Sequence, residues 1–542
     1  MTASDSSAPA SAVSRRSLLA GLLGATALSL SGRALAAPQP VTPGAAADEA
    51  PAQAAAPAGA PFTYDWLVSE ARRLAGESYQ SGDGALPRVL ADLSYDQYRD
   101  IRYRADHALW RDVSPYEVQF FHLGAYYDRP VAVFDVEGGV ARPVTYRPAD
   151  FDLGRNRFAD PLPDDLGFAG VRVHYPLNDP EVLDELLVFL GASYFRALGR
   201  GTRYGISSRA VAVDTGLPKG EEFPAFTRLY LERPAERGSP LMVHALLDGP
   251  SLTGAYRFAV QPGETTAVDV TARLFFRTDV ERLGLAPLTS MFDHGPSDPA
   301  DHPDYRPRVH DSQGLLLHSG TDEWIWRPLR NPRALALSAF QETAPKGFGL
   351  LQRVREFDAY EDLEARYDLR PSLWIEPKGD WGEGAVMLLE IPTPDETHDN
   401  IVAFWQPKAP AKAGGEAVLR YVMHWGLTGP QQPLARALET RLGRGGLPGQ
   451  QDEAETKRKV VVDFVGGPLP DLPPEAEVVP VLEANGIEAG DIVVQPNPVT
   501  GGLRVFFDLP IPTEDTTAEL RCRLTLDGQP ISETWSFQWS SI

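Results

Sequence analysis

Over residues 268–276 apolar and polar side chains alternate strictly. Val268, Val270, Ala272, Leu274 and Phe276 fall on one side, and Asp269, Thr271 and Arg273 on the other. A period of two is that of a half-buried β-strand, and the Pro262-Gly263 turn signal pairs it with a strand over 256–260. Comparable runs at 227–232, 241–247, 385–390, 401–405 and 418–425 predict further strands. Helical signals are confined to three places. Residues 64–75 carry apolar side chains at helical spacing. Ser94, with Gln97 three positions on, reads as a capping box. Asp179-Pro180 offers an N-cap and a first-turn proline, with Gly191 as the stop. Many strands and few helices predict an all-β protein built on a large β-sandwich over 62–426.

The pattern breaks near Gly426. Residues 427–457 are rich in Pro, Gly, Gln and charge and read as a linker, with a short helical piece expected over 434–442. Strands resume at 460–465, 503–508, 519–526 and 531–539, the last two joined over Asp527-Gly528. This is the size and pattern of a small immunoglobulin-like β-sandwich over 458–542. At the other end, Ser14-Arg15-Arg16-Ser17-Leu18-Leu19, an apolar run to Leu30 and Ala34-Leu35-Ala36 read as a twin-arginine export signal over 1–36. Residues 37–61 are nearly all Ala, Pro and Gly and predict a disordered leader.

Charge narrows the function. The chain has 51 basic and 74 acidic residues, a net charge of -23, which argues against nucleic acid or an anionic membrane as partner and suits a neutral substrate. Its single cysteine, Cys522, permits no internal disulfide. No Gly-x-Ser-x-Gly elbow, P-loop or dinucleotide fingerprint is present. The stretch 305–328 draws attention instead. Asp311 follows His310 in a polar loop, and Trp324, Trp326 and Arg327 come shortly after. A carboxyl group moves protons at a glycosidic oxygen. Glycoside hydrolysis needs two such groups, and Asp368, Glu376, Asp380, Glu383, Glu390, Glu396 and Asp399 all qualify on chemistry alone. Asp293, His294, Asp298, Asp301, His302, Asp304, His310 and Asp311 crowd one segment, yet their spacing fits neither a helical His-Glu-x-x-His site nor an EF-hand loop, so no metal or other cofactor is expected.

Several stretches, among them LSYDQYRDIRY, DLGFAGVRVHYPL, FLGASYFRALG, EEFPAFT, VHDSQGL, EWIWRPL, RPSLWIEP, EIPTPDETHDNIVAFWQP and VVDFVGG, resemble the periplasmic glucan biosynthesis proteins of types D and G. The export signal and the segment PLARALETRLGRGGLPG look like type D. The resemblance covers residues 62 to the C-terminus. It implies a galactose-mutarotase-like sandwich joined to an immunoglobulin-like one, in a periplasmic protein. It further implies an anomer-inverting endo-β-1,2-glucanase with Asp399 as general acid and Asp311 as general base. Asp399 is then expected to be protonated at working pH and Asp311 ionised. Two alternatives stay open: a transglycosylase forming cyclic β-1,2-glucan, and a non-catalytic assembly factor docking to a membrane glucan synthase. Tyr194, Arg196, His310, Trp324, Trp326, Arg327, Trp374 and Trp381 are candidates for the sugar groove. Trp381 lies in Gly-Asp-Trp-Gly-Glu-Gly, which reads as a mobile loop able to close over substrate.

Overall fold

A computed structural model describes residues 59–82, 86–234, 236, 238–446, 456–473, 475–511 and 517–540. The export signal expected over 1–36 and all but the last residues of the leader expected over 37–61 lie outside that set. Strand Thr266–Phe276 pairs on one side with Leu252–Gln261, across the expected turn, and on the other with Glu416–Gly426. It belongs to a sixteen-stranded sheet facing a ten-stranded one. Alternation explains the sandwich. Inward residues of the larger sheet (Leu247, Phe258, Val268, Val270, Tyr421) meet Val173, Leu187, Phe189, Phe195 and Leu288 of the smaller in one core. Each large apolar side chain buried there contributes roughly 1.5–3 kcal/mol.

The larger sheet does not end with the large sandwich. Trp324–Pro328 pairs in parallel with the last strand, Thr534–Ser540, which continues through Thr517–Leu526 to Val479–Asn485. A four-stranded sheet of Arg436–Arg444, Lys457–Val465, Gly502–Pro510 and Val493–Asn497 shares a second core with these strands, including Val460, Phe464, Phe507, Trp535 and Phe537. Asp527 and Gly528 form the two-residue turn at the end of Thr517–Leu526, both with positive φ (51° and 77°), as a hairpin of this kind requires.

Helices Tyr64–Ala75 and Tyr95–Asp100 form where expected, the second with a complete Ser94–Gln97 capping box. The third expected helix is instead a β-hairpin. Gly170–Asp179 turns at Pro180-Glu181 into Val182–Leu190, and the Asp179 carboxylate accepts the Glu181 N–H at 2.9 Å. The same Asp-Pro pair that caps helices makes tight turns, and strand pairing decides between them. The helical piece expected within the linker is also a strand, Arg436–Arg444, hydrogen-bonded along Lys457–Val465. Its helix-forming composition is overridden by burial of Ala437 in the second core.

Where the two cores meet, Arg353 forms a two-pronged ion pair with Glu533 at 2.5 and 3.0 Å, both side chains almost wholly buried. Glu533 also accepts the Ala437 N–H (2.7 Å) and the Gln432 amide (2.8 Å). Removing one partner strands a buried charge. Glu533→Ala is expected to lower the unfolding free energy by about 3–5 kcal/mol in denaturant titration. A loss below about 1 kcal/mol would contradict this reading of the seam.

Candidate active site

Asp311 follows the two-residue strand Val309–His310, which pairs with Phe292–His294, and its N–H donates to the Met291 carbonyl at 2.9 Å. Its side chain is 1% exposed. The Arg370 Nε stands 3.4 Å from Oδ1, but neither carboxylate oxygen accepts a hydrogen bond from the protein. Burial raises the Asp311 pKa, with the charges of Arg370 and Arg196 opposing. Arg370 is as deeply buried and lies over the Tyr367 ring at 5.1 Å. Gly205 makes room for it, since a Cβ there would meet Arg370 Cδ at 2.8 Å.

Asp399 ends the loop between strands Glu383–Glu390 and Ile401–Pro407. The loop is closed by the Ile391 N–H donating to the Asn400 carbonyl at 2.8 Å. The buried Asn400 amide then behaves like a short strand. Its Oδ1 accepts the Phe292 N–H (2.8 Å), and its Nδ2 donates to the Phe292 and Ile391 carbonyls (2.9 and 3.0 Å). Phe292 pairs with His310 as well. The two acids are therefore the chain neighbours of two residues held by one backbone segment. Burial pushes the Asp399 pKa up to about 6, with the Asp311 charge adding to the rise and Arg196, Arg209 and Arg370 opposing it. Asp399 nonetheless keeps partial access to solvent, while Asp311 does not.

The wall beside the acids is the polar face of the smaller sheet. Tyr194 and Arg196, two apart on one strand, share that face. Arg209 pairs with Tyr194 across strands, lies 5.5 Å from its ring and is ion-paired to Glu221 with both side chains buried. From Arg196 the same row continues through Val188 and Arg172 to Gln119, each directly opposite the next. Arg172 donates to Glu185 and Gln119 at 2.8 Å each. Three strand spacings make this row about 14 Å long. On the other side, Arg306 ties three loops together by ion pairs to Asp304 (2.7 Å), Asp362 (2.9 Å) and Glu396 (2.5 Å), and Tyr367 donates to Glu396 at 3.0 Å.

Of the groove candidates, Tyr194 and Arg196 stand at the acids. The others do not. His310 is buried, stacked on Phe292 with ring centres 5.2 Å apart, and its Nδ1 pairs with Gln352 at 2.9 Å. Burial drives its pKa well below the usual histidine range, so it is a neutral support for Asp311. Trp324, Trp326 and Trp374 are buried in the second core, with Arg353 3.6 Å above the Trp326 ring. Arg327 points to the C-terminal strands, pairing with Glu519 at 2.9 Å and Ser536 at 3.1 Å. Trp381 packs near Trp405 and Tyr421 at the far end of strand Glu383–Glu390 from Asp399, about 25 Å along it. An alternating pattern with glycines nearby fits a core tryptophan as well as an exposed platform, which is why sequence placed these in the groove. Arg370 and Asn400 lay inside the quoted motifs without a role. Nothing in the sequence around Arg209 marked it.

Comparison with known proteins adds a family. Residues 62–539 match the model described as "Periplasmic glucan biosynthesis protein, MdoG". The chain is 49% identical over 493 residues to a glucans biosynthesis protein G of Rhodopseudomonas palustris, covering 90% of this chain and 96% of that one. It is 47% identical over 493 residues to a probable glucans biosynthesis protein D of Shewanella oneidensis, covering 90% of each. A protein G of Ralstonia nicotianae is 47% identical over 492 residues, 90% of this chain and 97% of its own. Identity to type G is as high as to type D, so these figures do not separate the two types.

The raised pKa of Asp399 has a consequence for stability. Its folded value, about 6, exceeds the ordinary 3.8, so the folded state holds the extra proton between those values. That contribution is complete below about pH 4 and is lost as pH rises through 6. Asp399→Asn is expected to stabilise the protein by about 1–3 kcal/mol at pH 7 and by nothing measurable at pH 4, read from urea titrations at each pH. Destabilisation at pH 7 would contradict the assignment.

Proposed function

The chain belongs to the family of periplasmic glucan biosynthesis proteins, and from that premise we propose that it is an anomer-inverting endo-β-1,2-glucanase. Asp399 is its general acid and Asp311 its general base. The observation that carries the proposal is a pair of carboxyl groups hung from the Phe292 backbone in unlike surroundings. Asp399, with a pKa of about 6 and some access to solvent, is poised to protonate a glycosidic oxygen. Burial raises the Asp311 pKa as well, but the Arg370 charge 3.4 Å away opposes that rise, and its oxygens carry no protein donors that would blunt their basicity. It receives the proton as water attacks the anomeric carbon from the opposite face.

Sugar hydroxyls are donors and acceptors without charge, which suits the row Arg196, Arg172 and Gln119 better than it suits an apolar platform. We read the row as the subsites flanking the cleaved bond, with Tyr194 against the ring beside Asp399. The two sandwiches are read as galactose-mutarotase-like and immunoglobulin-like, over 62–426 and 458–542. Export by the twin-arginine route completes the proposal. No helix among the described residues is long and apolar enough to cross a membrane.

The test is incubation of the mature protein with linear β-1,2-glucan and mass spectrometry of the products. Reducing oligosaccharides, each one water heavier than the corresponding ring, are expected. Products lacking that water would mean ring closure by transglycosylation, and an unchanged polymer would reject both reactions. Because the acid must be protonated, kcat/KM is expected to fall about tenfold per pH unit above a midpoint near 6. Asp399→Asn should lower kcat by about 10²–10⁴ and abolish that limb. A limb that persists in the variant would remove Asp399 from the acid role.

A further inference from the structure

Residues 295–307 form a proline-rich strap between the paired strands Phe292–His294 and Val309–His310. Asp293 and His294, both buried, stand at its base. His302, more exposed, folds back so that its ring centre is 5.8 Å from that of His294. One ligand atom from each of Asp293, His294 and His302 lies within 4.8 Å of the other two. None of the three takes part in the chemistry proposed above.

Counting hydrogens exposes a deficit. His294 Nε2 is 3.1 Å from the Arg306 carbonyl oxygen, which can only accept, and Nδ1 is 3.2 Å from Asp293 Oδ2, which as a carboxylate also only accepts. A neutral imidazole has one N–H for these two acceptors. His302 brings a lone pair to the same oxygen. Its one N–H serves Asp301 Oδ1, 3.3 Å from Nδ1, which leaves Nε2 without a hydrogen 3.6 Å from Asp293 Oδ2, too far for a hydrogen bond. A proton on His294 would supply its missing hydrogen but would leave the His302 Nε2 lone pair facing the Asp293 carboxylate. A single divalent cation removes the deficit at His294 and gives the His302 lone pair a partner. It takes the lone pairs of His294 Nδ1, His302 Nε2 and Asp293 Oδ2, and leaves each ring's remaining N–H to donate outward, to the Arg306 carbonyl and the Asp301 carboxylate. Such outer partners are the usual companions of metal-bound histidine.

We propose that Asp293, His294 and His302 form a binding site for a divalent transition metal of the zinc class, with a structural role. Two imidazoles and a carboxylate are the donor set that such an ion takes. His294 and His302 line a surface cleft of about 430 Å³ together with Gly295, Pro299 and Arg441, which has room for a water as fourth ligand. The ion staples the far part of the strap to its base. Arg306 in the same strap holds Glu396, three residues from Asp399, so the staple supports the acid-bearing loop from outside the reaction site. The spacing of two adjacent ligands and a third eight residues later belongs to no helical or EF-hand motif. The fold assembles the site, and spacing alone points away from it.

Calorimetric titration of zinc into the chelator-treated mature protein at pH 7 tests the proposal, with His302→Ala alongside. His302 is exposed enough to be replaced without opening a core, which circular dichroism would verify. One zinc per chain is expected. The variant's affinity should fall by at least the roughly 10–100-fold that loss of an outer partner costs. X-ray absorption of the loaded protein should show two imidazole ligands. Absence of saturable binding, or equal affinity in His302→Ala, would overturn the site and leave the three side chains as an ordinary polar cluster.

Discussion

One side-chain amide sets the geometry of the candidate site. Asn400 takes both the donor and the acceptor of the Phe292 backbone, and so does for the loop 391–400 what a paired strand would do. Phe292 in turn pairs with His310. Asp399 and Asp311 come from parts of the chain separated by almost ninety residues, yet each is one residue from a partner of the same strand. A loop held only by its own turns would leave Asp399 free to wander, and a shift of about 1 Å is enough to cost a reaction much of its rate.

Bringing two carboxylates together out of bulk water is costly, and the surroundings answer with arginines. Arg196, Arg209 and Arg370 all oppose the rise in the Asp399 pKa. They do so unevenly. Arg209 is committed to buried Glu221, while Arg370 stands beside Asp311. Burial raises both pKa values, but Arg370 is the leading opposing charge at Asp311 and a lesser one at Asp399, and such unequal surroundings are how two residues of one type come to have two roles. Arg306, gathering Asp304, Asp362 and Glu396, fixes the loops around the pair without entering it.

How much of this the sequence carried depends on whether the signal was local. Strict alternation over residues 268–276 described its strand completely, because the pattern is the pleat. The capping box at Ser94 was equally local. The Asp179-Pro180 signal failed because one dipeptide serves helix starts and tight turns, and pairing with Gly170–Asp179 settles the matter from outside the segment. The tryptophans failed for a related reason. Trp326 in its strand faces a second core built from residues two hundred positions later, which no window on the sequence contains. The two acids were reached through a family resemblance, since their own loops resemble any other acidic loop in a chain of net charge -23. Arg209 and the Asn400–Phe292 clasp are products of the fold alone.

Burial beside a second carboxylate is what pushes the Asp399 pKa up to about 6. Carbon-13 NMR titration of the Asp399 carboxyl, in wild type and in Asp311→Asn, measures this without substrate or turnover. A pKa of about 6 is expected in wild type, and a lower one once the Asp311 charge is gone. A wild-type value in the ordinary aspartate range, or one that does not move in the variant, would contradict it.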